Sequence, residues 1–255
     1  MAGRSGEPGV SLLERASRML RALPADGIPI SVPDLACAAG LPVSTTHRLV
    51  AELARLGAVE RTPAGVSMGL GLWELGERSA VLRQLREAAL PELIELYEST
   101  GENVHLGVLV GHEVLYVAKA NGKRAIPTLS EVGQRHPLHT TGVGRAILLT
   151  RDAGWLDQYL REPLEAETRH TITDAAKLRE VIAAEAVKGW AFTRQEMTLG
   201  NISIAMPLRD RPGLPPAAIG IVAHASSADE VRLLPLLRRA VAAIEQRLEA
   251  SSPAG

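Results

Sequence analysis

The chain has 255 residues, of which 46% are hydrophobic and 22% are charged, and its formal net charge at pH 7 is −1. This length allows two domains with separate cores, and the near-zero charge argues against a nonspecific nucleic-acid coat protein and against a membrane-surface binder. Aromatic residues are only 3% of the chain, so single-strand recognition by base stacking is not expected. The single cysteine, Cys37, excludes a disulfide framework and a thiolate zinc cluster, and we expect it to be a small buried side chain.

The first residues predict an unstructured start followed by a helix. Residues 1–9 are polar and glycine-rich, and they predict a disordered arm without the apolar segment of a signal peptide. Residues 11–23 repeat leucine, alanine and methionine on one face, which predicts an amphipathic helix. No run in the sequence is long and apolar enough to span a bilayer, so we expect a cytoplasmic protein with no membrane partner.

Residues 33–69 predict a winged helix-turn-helix. Pro33 suits the first position of a helix, and Ser31 stands where it can cap that helix. Gly40 supplies a left-handed turn residue, and Pro42 begins a second helix. In a helix-turn-helix protein, the second of these helices enters the major groove of DNA.

The second helix has one apolar and one polar side. Its apolar stripe, which we expect to be buried, consists of Val43, Leu49, Leu53 and Leu56. The side chains that we assign to DNA binding are Ser44, Thr45, Thr46, His47, Arg48, Arg55 and Arg61. Hydroxyl, imidazole and guanidinium groups near a helix N-terminus match what base edges and phosphates require. We expect Thr46 to turn partly inward.

A β-hairpin is predicted after the second helix. Gly57 ends the helix, strands are predicted over residues 58–61 and 66–68, and residues 62–65 form the turn of a candidate wing. Residues 1–70 hold nearly as many acidic as basic side chains, so DNA affinity requires a dimer that doubles the phosphate contacts.

A helical connector is predicted over residues 72–99, with a break or kink at Pro91. Beyond it, the pattern changes from helices and a hairpin to a strand-rich region. We therefore divide the chain, after its arm, into a DNA-binding domain over residues 10–75, a linker helix over 76–99 and a second domain over 100–250.

The second domain alternates strands with helices. Strands are predicted over residues 103–110, 114–120, 125–129, 191–194, 201–208 and 217–224. Helices are predicted from about residue 140 and over residues 152–160, 174–188 and 229–248. This order is typical of an α+β sensor domain, in which helices pack against one antiparallel sheet.

Residues 140–145, with the sequence TTGVGR, are the chemically richest stretch of this domain. Hydroxyl caps and glycines at a helix start leave backbone N–H groups directed at the positive end of the helix dipole, which favours an anion. A plain capped helix and a nucleotide phosphate loop are alternatives. The lysine and the strand order of a Walker loop are absent, which argues against the second.

Several segments together resemble the IclR family of bacterial transcriptional regulators. In the order and spacing of the family they are GLPVSTTHRLVAEL, LWELG, TGENVHLGVLVGHEVLYV, EVGQRHPLHTTGVGRAIL, TITDAAKLREVIAAEAVKGWA and GNISIAMPL. The segments cover nearly the whole chain, and their combination is specific although each is short.

The resemblance implies an N-terminal winged helix-turn-helix, a linker helix and a C-terminal effector-binding domain of GAF-like architecture, which is an α+β fold. It implies a homodimer or homotetramer that represses or activates genes from a double-stranded DNA operator. It also implies a small-molecule effector, often a carboxylate. We expect no cofactor and no catalytic residues.

The resemblance also implies where the effector binds. In relatives with small acidic effectors, the backbone at the positions of Gly142 and Val143 binds the carboxylate. The strand positions that line the pocket in such relatives correspond to Thr193, Asn201, Ser203, Gly220 and Val222. We add Thr128 and His136 to this effector-binding set.

The DNA-binding region departs from the family pattern. Many members have a basic residue at the position of Val43 and basic or aromatic residues in the second wing strand, residues 66–68. We therefore expect Arg48, Arg55 and Arg61 to carry more of the phosphate neutralisation.

The predicted pocket departs from the pattern as well. Gly220 and Val222 stand where relatives often have hydroxyl groups, which predicts a less polar wall and additional room at Gly220. His136 and Asn201 are more polar than usual. We therefore expect an anionic ligand larger than a two- or three-carbon acid, with its carboxylate at residues 142–143 and a polar group near His136 or Asn201.

Other functions remain open from sequence alone. His136 and His139 are a potential metal pair, but they do not share a helix face and no third ligand is evident. Glu102, His105 and His139 are a potential acid–base group, and Ser203 is a potential nucleophile, but no nucleophile motif accompanies them. The alternatives are a metabolite-binding module whose N-terminal domain only dimerises and an enzyme with an appended DNA-binding domain.

Overall fold

The computed structural model describes residues 10–121, 130–226 and 229–251. The predicted arm over residues 1–9, the predicted strand over 125–129 and Thr128 lie outside these described residues. The chain divides into two compact units between Ala80 and Val81. The finer division into DNA-binding domain, linker and effector domain stays a prediction.

The first unit contains the predicted helix-turn-helix and hairpin. Its elements are α1 (Leu12–Arg21), α2 (Val32–Ala39), α3 (Val43–Arg55), β1 (Val59–Thr62), β2 (Gly65–Met68) and α4 (Leu70–Gly76). The Ser31 hydroxyl oxygen accepts a hydrogen bond from the Asp34 backbone N–H, and Gly40 has a φ of +64°. The predicted cap of α2, the left-handed turn after it and the antiparallel hairpin of β1 and β2 are therefore confirmed.

The core of the first unit lies between α1, α2, α3 and the hairpin. Its buried side chains are Met19, Leu23, Leu35, Ala39, Leu49, Val50, Val59 and Val66. Cys37, which we predicted to be buried, is exposed. The reason is helical periodicity, because Leu35, Ala36 and Ala39 form the inward side of α2 and Cys37 falls between them.

The helix predicted over residues 72–99, with a break or kink at Pro91, is interrupted at a different place. The helix is interrupted at residues 77–79, between α4 and α5 (Ala80–Thr100), and Pro91 lies within α5 without ending it. Pro91 is exposed, so the helical carbonyl that it leaves without a donor can bond to water. Gly76, a poor helix former, marks the actual end of α4.

In the described residues, the second unit is built on one six-stranded sheet. After α5, its elements are β3 (Asn103–Val110), β4 (Glu113–Ala120), β5 (Arg135–Pro137), a short 3₁₀-helix (Leu138–Thr140), α6 (Gly142–Leu148), α7 (Ala153–Tyr159), α8 (Ala175–Lys188), β6 (Ala191–Arg194), β7 (Asn201–Pro207), β8 (Ala217–His224) and α9 (Glu230–Ala250). The strand order is β5-β4-β3-β8-β7-β6, and all neighbours are antiparallel. The predicted α+β class is confirmed.

Each face of this sheet buries a different set of helices. One face packs on α5 and α9, through side chains such as Leu93, Leu106 and Ile244. The other face packs on α6, α7 and α8, where Val143 of α6 approaches Gly107 of β3. Side chains alternate across a strand, so this second face also receives the polar side chains described next.

Candidate functional site

The exposed side of α3 is polar and begins at the start of the helix. Ser44, His47 and Arg48 are exposed there, and Arg48 forms no ion pair with any described residue. Its guanidinium therefore keeps its donors for another molecule. This surface fits the predicted contacts to base edges and phosphates.

Two of the assigned DNA contacts need correction. Thr45 and Thr46 are only 3% and 0% exposed, and the Thr46 hydroxyl donates to the Pro42 carbonyl oxygen at 3.2 Å. The helical period places these two threonines on the same side as the buried Leu49 and Val50. They support the helix from inside and are not available to DNA.

The predicted apolar stripe of α3 is wrong at both ends. Val43 is 45% exposed and Leu56 is 64% exposed. Val43 lies at the first helical position, on the outer side, and Leu56 follows the last helical residue, so neither points into the core. Val43 thus joins the surface that carries Ser44 and His47.

The two remaining arginines differ in their surroundings. Arg55 is paired with Glu52, with Nη2 2.9 Å from Oε2, so part of its charge is already offset. Arg61 lies in β1, and its side chain is exposed on the hairpin. The Glu52 contact uses one of the five guanidinium donors of Arg55, and the side chain stays exposed.

The second unit contains a pocket between α6, β7 and the turn that follows β6. The space between its lining residues, including the part that is open to solvent, is about 410 Å³. The lining residues are Tyr116, Ser130, Thr140, Thr141, Gly142, Thr193, Gln195, Glu196, Met197, Thr198, Asn201, Ile202, Ser203 and Val222. Hydroxyl and amide groups predominate, and none of these described residues is cationic.

Some predicted effector-binding residues lie in this pocket and some do not. Those that line it are Gly142, Thr193, Asn201, Ser203 and Val222. Val143 and Gly220 do not line it. The two residues contact each other, and a Cβ at Gly220 would lie 2.9 Å from Val143 Cγ2. Val143 fills the space that the glycine leaves, so the predicted additional room at Gly220 is wrong. His136 is also outside the lining, and its ring contacts Tyr116 with centroids 5.7 Å apart.

Ser203 is the most unusual group in the pocket. Its side chain is buried, and its Oγ has no hydrogen-bond partner in the described part of the chain. Gly142 approaches it so closely that a Cβ there would lie 2.2 Å from Ser203 Oγ and 2.7 Å from Ser203 Cβ. A buried hydroxyl without a partner is costly, which makes it a natural group for a ligand to meet.

A hydroxyl cluster forms one end of the pocket. Burial raises the pKa of the Tyr116 hydroxyl, and hydrogen bonds with Ser130 and Thr141 oppose that rise. The Thr141 hydroxyl oxygen also accepts from the Gly144 N–H at 3.0 Å, which caps α6. These groups hold the start of α6 in place.

Sequence reasoning missed part of this lining. The missed residues are Tyr116, Ser130, Gln195, Glu196, Met197, Thr198 and Ile202. Strand alternation in β4 was a usable signal for Tyr116, since every second side chain faces α6. The turn after β6 carried no such signal.

A buried arginine stands behind the pocket. Arg145 is 1% exposed, and its Nη2 donates to the His139 carbonyl oxygen at 2.8 Å and to the Glu196 carboxylate. Its Nη1 lies 3.9 Å from Glu185 Oε1. Burial raises the pKa of both Glu185 and Glu196, and Arg145 opposes the rise.

His105 is a buried imidazole next to Tyr116, with ring centroids 5.1 Å apart. Neither ring nitrogen forms a hydrogen bond of normal geometry with a described residue, although the Ser130 backbone is near enough to favour the charged form slightly. Burial, followed by the nearby Lys119, lowers the pKa of His105 to about 3. The ring is therefore neutral at physiological pH.

The proposed acid–base group is not assembled. Burial raises the pKa of Glu102, which faces Arg232 and His224, whereas His105 faces Tyr116. His139 contacts Tyr159 instead, with Nδ1 2.8 Å from the hydroxyl oxygen.

Within residues 10–121, 130–226 and 229–251, no cluster of three or more His, Cys, Asp or Glu side chains is arranged to hold a metal ion. No helix in those ranges is long and apolar enough to cross a membrane.

Comparison with known proteins covers nearly the whole chain. The family model described as "IclR helix-turn-helix domain" matches residues 12–63, and the one described as "Bacterial transcriptional regulator IclR C-terminal" matches residues 79–246. The "Glycerol operon regulatory protein" of Streptomyces griseus is 32% identical over 214 residues, which are 83% of this chain and 84% of that protein. The "HTH-type transcriptional regulator BhcR" of Paracoccus denitrificans is 31% identical over 234 residues, 91% of this chain and 84% of its own length.

A solved structure is also similar. The crystal structure of an IclR homolog from Microbacterium hydrocarbonoxydans, complexed with 4-hydroxybenzoate, has a TM-score of 0.86 and 31% sequence identity. The similarity covers 94% of this chain and all of that chain.

The helix-turn-helix unit, the separate pocket-bearing α+β unit and these matches define a DNA-binding regulator with a ligand-binding C-terminal domain. The chain belongs to the IclR family of bacterial transcriptional regulators.

Proposed function

We propose that this regulator responds to a small monocarboxylic acid bound in the pocket of the second unit. The observation that carries the proposal is the buried hydroxyl of Ser203, which has no hydrogen-bond partner among the described residues and lies against Gly142 at the start of α6. The first N–H groups of an α-helix have no partner within the helix, and they carry the positive end of its dipole. Gly142, which lines the pocket, supplies the first of those N–H groups beside Ser203, and this N–H and the hydroxyl together suit a carboxylate.

The charge of the lining supports a single carboxylate. None of the described lining residues is cationic, and the one anionic lining residue, Glu196, is already bound to Arg145. Burial raises the pKa of Glu196, and Arg145 opposes the rise, with smaller contributions from the nearby backbone N–H groups of Arg194 and Ile172. A second carboxylate on the ligand would be buried without a counter-charge, which is costly. The complex of the Microbacterium relative with 4-hydroxybenzoate, a monocarboxylate, supports the same class.

A thermal-shift screen tests this proposal. The panel contains benzoate, 4-hydroxybenzoate and branched aliphatic monocarboxylates, each with its uncharged amide and with a dicarboxylate of similar size. A ligand at about 100 times its dissociation constant stabilises the folded protein by about 2.7 kcal/mol. We expect stabilisation by a monocarboxylate and not by its amide. Equal stabilisation by the amide would reject the proposed role of the carboxylate.

Ser203→Ala is a sharper companion to this screen than a change at Gly142. Any side chain at position 142 would collide with Ser203, so loss of ligand binding would be confounded by a packing defect. Alanine at position 203 removes only the hydroxyl.

We propose that α3 binds the major groove through Val43, Ser44, His47 and Arg48, with Arg61 on the hairpin contacting phosphate. Val43 offers exposed methyl groups at the first helical position, where helix-turn-helix proteins contact bases. An exposed valine there suits the 5-methyl group of thymine. The test uses duplexes selected from a random pool, in which single thymines are replaced by uracil. One replacement should weaken binding by the wild type but not by Val43→Ala; equal losses for both proteins at every position would reject this contact.

We propose that two copies associate through α4. No residue of this helix is buried in the described chain, and Leu70, Trp73 and Leu75 are 69%, 64% and 60% exposed. Leu70 and Trp73, three residues apart, share one side of α4, where large exposed apolar side chains favour an interaction surface, and two-fold operators require paired helix-turn-helix units. Sedimentation analysis should therefore show that Trp73→Glu lowers the mass of the assembly. Val187→Glu, at a 91% exposed valine on α8, is the matched control. An unchanged mass for Trp73→Glu would reject this interface.

A further inference from the structure

One segment outside the pocket contacts both of its sides. We name residues 165–172, between α7 and α8, the strap. The Glu165 carbonyl oxygen accepts a hydrogen bond from His139 Nε2 at 3.0 Å, just before the pocket-lining Thr140 and Thr141. Further along, the strap bonds to the turn after β6, which lines the opposite side. No strap residue is itself among the lining residues.

Two threonines make the bonds to that turn. The Thr168 hydroxyl donates to the Gln195 carbonyl oxygen at 2.6 Å, and the Thr171 hydroxyl donates to the Glu196 carbonyl oxygen at 2.6 Å. Burial raises the pKa of Glu196, and the Ile172 backbone N–H lies near enough to its carboxylate to oppose the rise, as Arg145 does more strongly. The backbone of the turn is therefore held by the strap at two successive residues.

The direction of these hydroxyl bonds is fixed by the carbonyl oxygens of the turn, which can only accept, and the strap uses the lone pairs of the same hydroxyls. Thr171 Oγ1 already accepts from the backbone N–H groups of Glu167 at 3.1 Å and Thr168 at 2.9 Å. Thr168 Oγ1 accepts from the His170 N–H at 3.0 Å. Each hydroxyl thus accepts within the strap and donates its one proton to the turn, so it links the two segments.

The turn that receives these bonds has a strained backbone. Gln195 has a φ of +58°, and it is the one residue other than glycine with a positive φ in the described chain. Its N–H donates to the Asn201 carbonyl oxygen at 2.7 Å, and its Oε1 accepts from the Gly200 N–H at 2.8 Å. Such a conformation persists only where surrounding bonds over-determine it, and it clusters at ligand sites.

We propose that Thr168 and Thr171 are positioning residues for effector binding. By holding Gln195 and Glu196, they fix the pocket side formed by residues 195–198 relative to the start of α6. The ligand then meets a preformed site and does not have to order this turn when it binds. The inference rests on the proposed function, because it assumes that the effector occupies this pocket.

The test compares valine with serine at the two positions. Thr168→Val and Thr171→Val keep the shape of the side chain and remove the hydroxyl, whereas Thr168→Ser and Thr171→Ser keep the hydroxyl. Thr150→Val is the matched control, since the Thr150 hydroxyl also donates to a backbone carbonyl, that of Ile147 at 3.0 Å, at the far end of α6. The readouts are amide hydrogen exchange of the ligand-free full chain, affinity for the best acid of the screen and affinity for selected DNA without acid.

The expected result is local to the turn. The amides of Gln195 and Gly200 should exchange about tenfold faster in the valine variants, since each variant loses one hydrogen bond to the turn. The serine variants and Thr150→Val should exchange like the wild type. Acid affinity should fall by a similar factor in the valine variants alone, with DNA affinity unchanged.

Three results would overturn the inference. The first is wild-type exchange at Gln195 and Gly200 in both valine variants. The second is faster exchange throughout the second unit, which would mean a general structural role. The third is an equal loss of acid affinity in the serine variants, which would assign the effect to side-chain shape. If no acid in the panel binds, the proposed monocarboxylate response fails, while the exchange measurement still decides whether the strap holds the turn.

Discussion

The two units of this regulator carry their functional groups in opposite places. In the first unit, the buried polar side chains Thr45 and Thr46 support α3, and the groups suited to DNA are exposed. In the second unit, the described polar groups that matter are buried, such as His105, Arg145 and Ser203. DNA contacts groups on the surface of a protein, whereas a small ligand contacts groups in its interior. We therefore expect substitutions in the second unit to change the free energy of unfolding, and substitutions on the surface of the first unit to change the free energy of DNA binding.

The strongest test of this contrast is Arg145→Met. It leaves Glu196 and Glu185 buried without their counter-charge, so we expect a loss of about 3–5 kcal/mol in the free energy of unfolding. Urea denaturation measures it. Arg179→Ala breaks an ion pair with Asp157 in which both side chains are about half exposed, and it should cost less than about 1 kcal/mol. Similar losses in the two variants would contradict the contrast between interior and surface.

The second test uses the buried imidazole of His105. Its folded pKa, about 3, lies below the ordinary value of 6.5, so the unfolded chain takes up a proton first. His105 therefore contributes stability above pH 6.5 that is lost as the pH falls towards 3, at a rate approaching about 1.4 kcal/mol per pH unit. Stability measured from pH 8 to pH 4 should fall less in His105→Phe than in the wild type. Parallel curves for the two proteins would contradict the neutral, buried state.

The third test concerns the surface of the first unit. Arg48→Ala should weaken binding to a selected operator by about 1–3 kcal/mol if the guanidinium contacts a guanine, with relaxed preference at one base pair. Arg55→Ala is the matched control, because Glu52 already offsets its charge and its loss should be smaller and independent of sequence. A loss for Arg48→Ala that is equal on all sequences, with a smaller salt dependence, would reduce its role to phosphate binding. Neither variant should change the unfolding free energy.

The smallest expected effect is that of Ser203→Ala. The hydroxyl has no partner in the described ligand-free chain, so its removal should leave stability unchanged or slightly raised. Calorimetry should nevertheless show acid binding weakened by about 0.5–1.5 kcal/mol, the net value of one hydrogen bond. Destabilisation of the ligand-free protein would mean that the hydroxyl has a structural partner.

Local sequence signals predicted most of the fold. Caps such as Ser31 and Asp174 and the turn residue Gly40 fixed element ends, because their effects act within a few residues. The interruption at residues 77–79 was not predicted, because proline is the stronger helix breaker and the break was placed at Pro91. Pro91 is exposed, and α5 continues through it. The sequence pattern gives the helix propensity of each residue, but it does not show which side of the helix is exposed.

The candidate site was less predictable than the fold. Thr45 was assigned to DNA from its chemistry, and only the helical phase relative to the core shows that it points inward. Room at Gly220 was inferred from a missing side chain, but a residue distant in sequence, Val143, fills it. The turn at Gln195 is held beside the pocket by a hydrogen bond from Thr168, 27 positions earlier in the chain. No local sequence pattern predicts such a distant contact.

The contact between Gly142 and Ser203 limits how this pocket can evolve. The backbone of α6 and the floor of β7 meet with no space for added atoms at position 142. A larger residue at position 203 would push α6 away from the sheet, so that position can exchange polarity but not size. New ligand preferences would then arise from changes of side-chain polarity at position 203 and from changes of side-chain volume at other lining positions. Divergence among descendants of this regulator should follow that division.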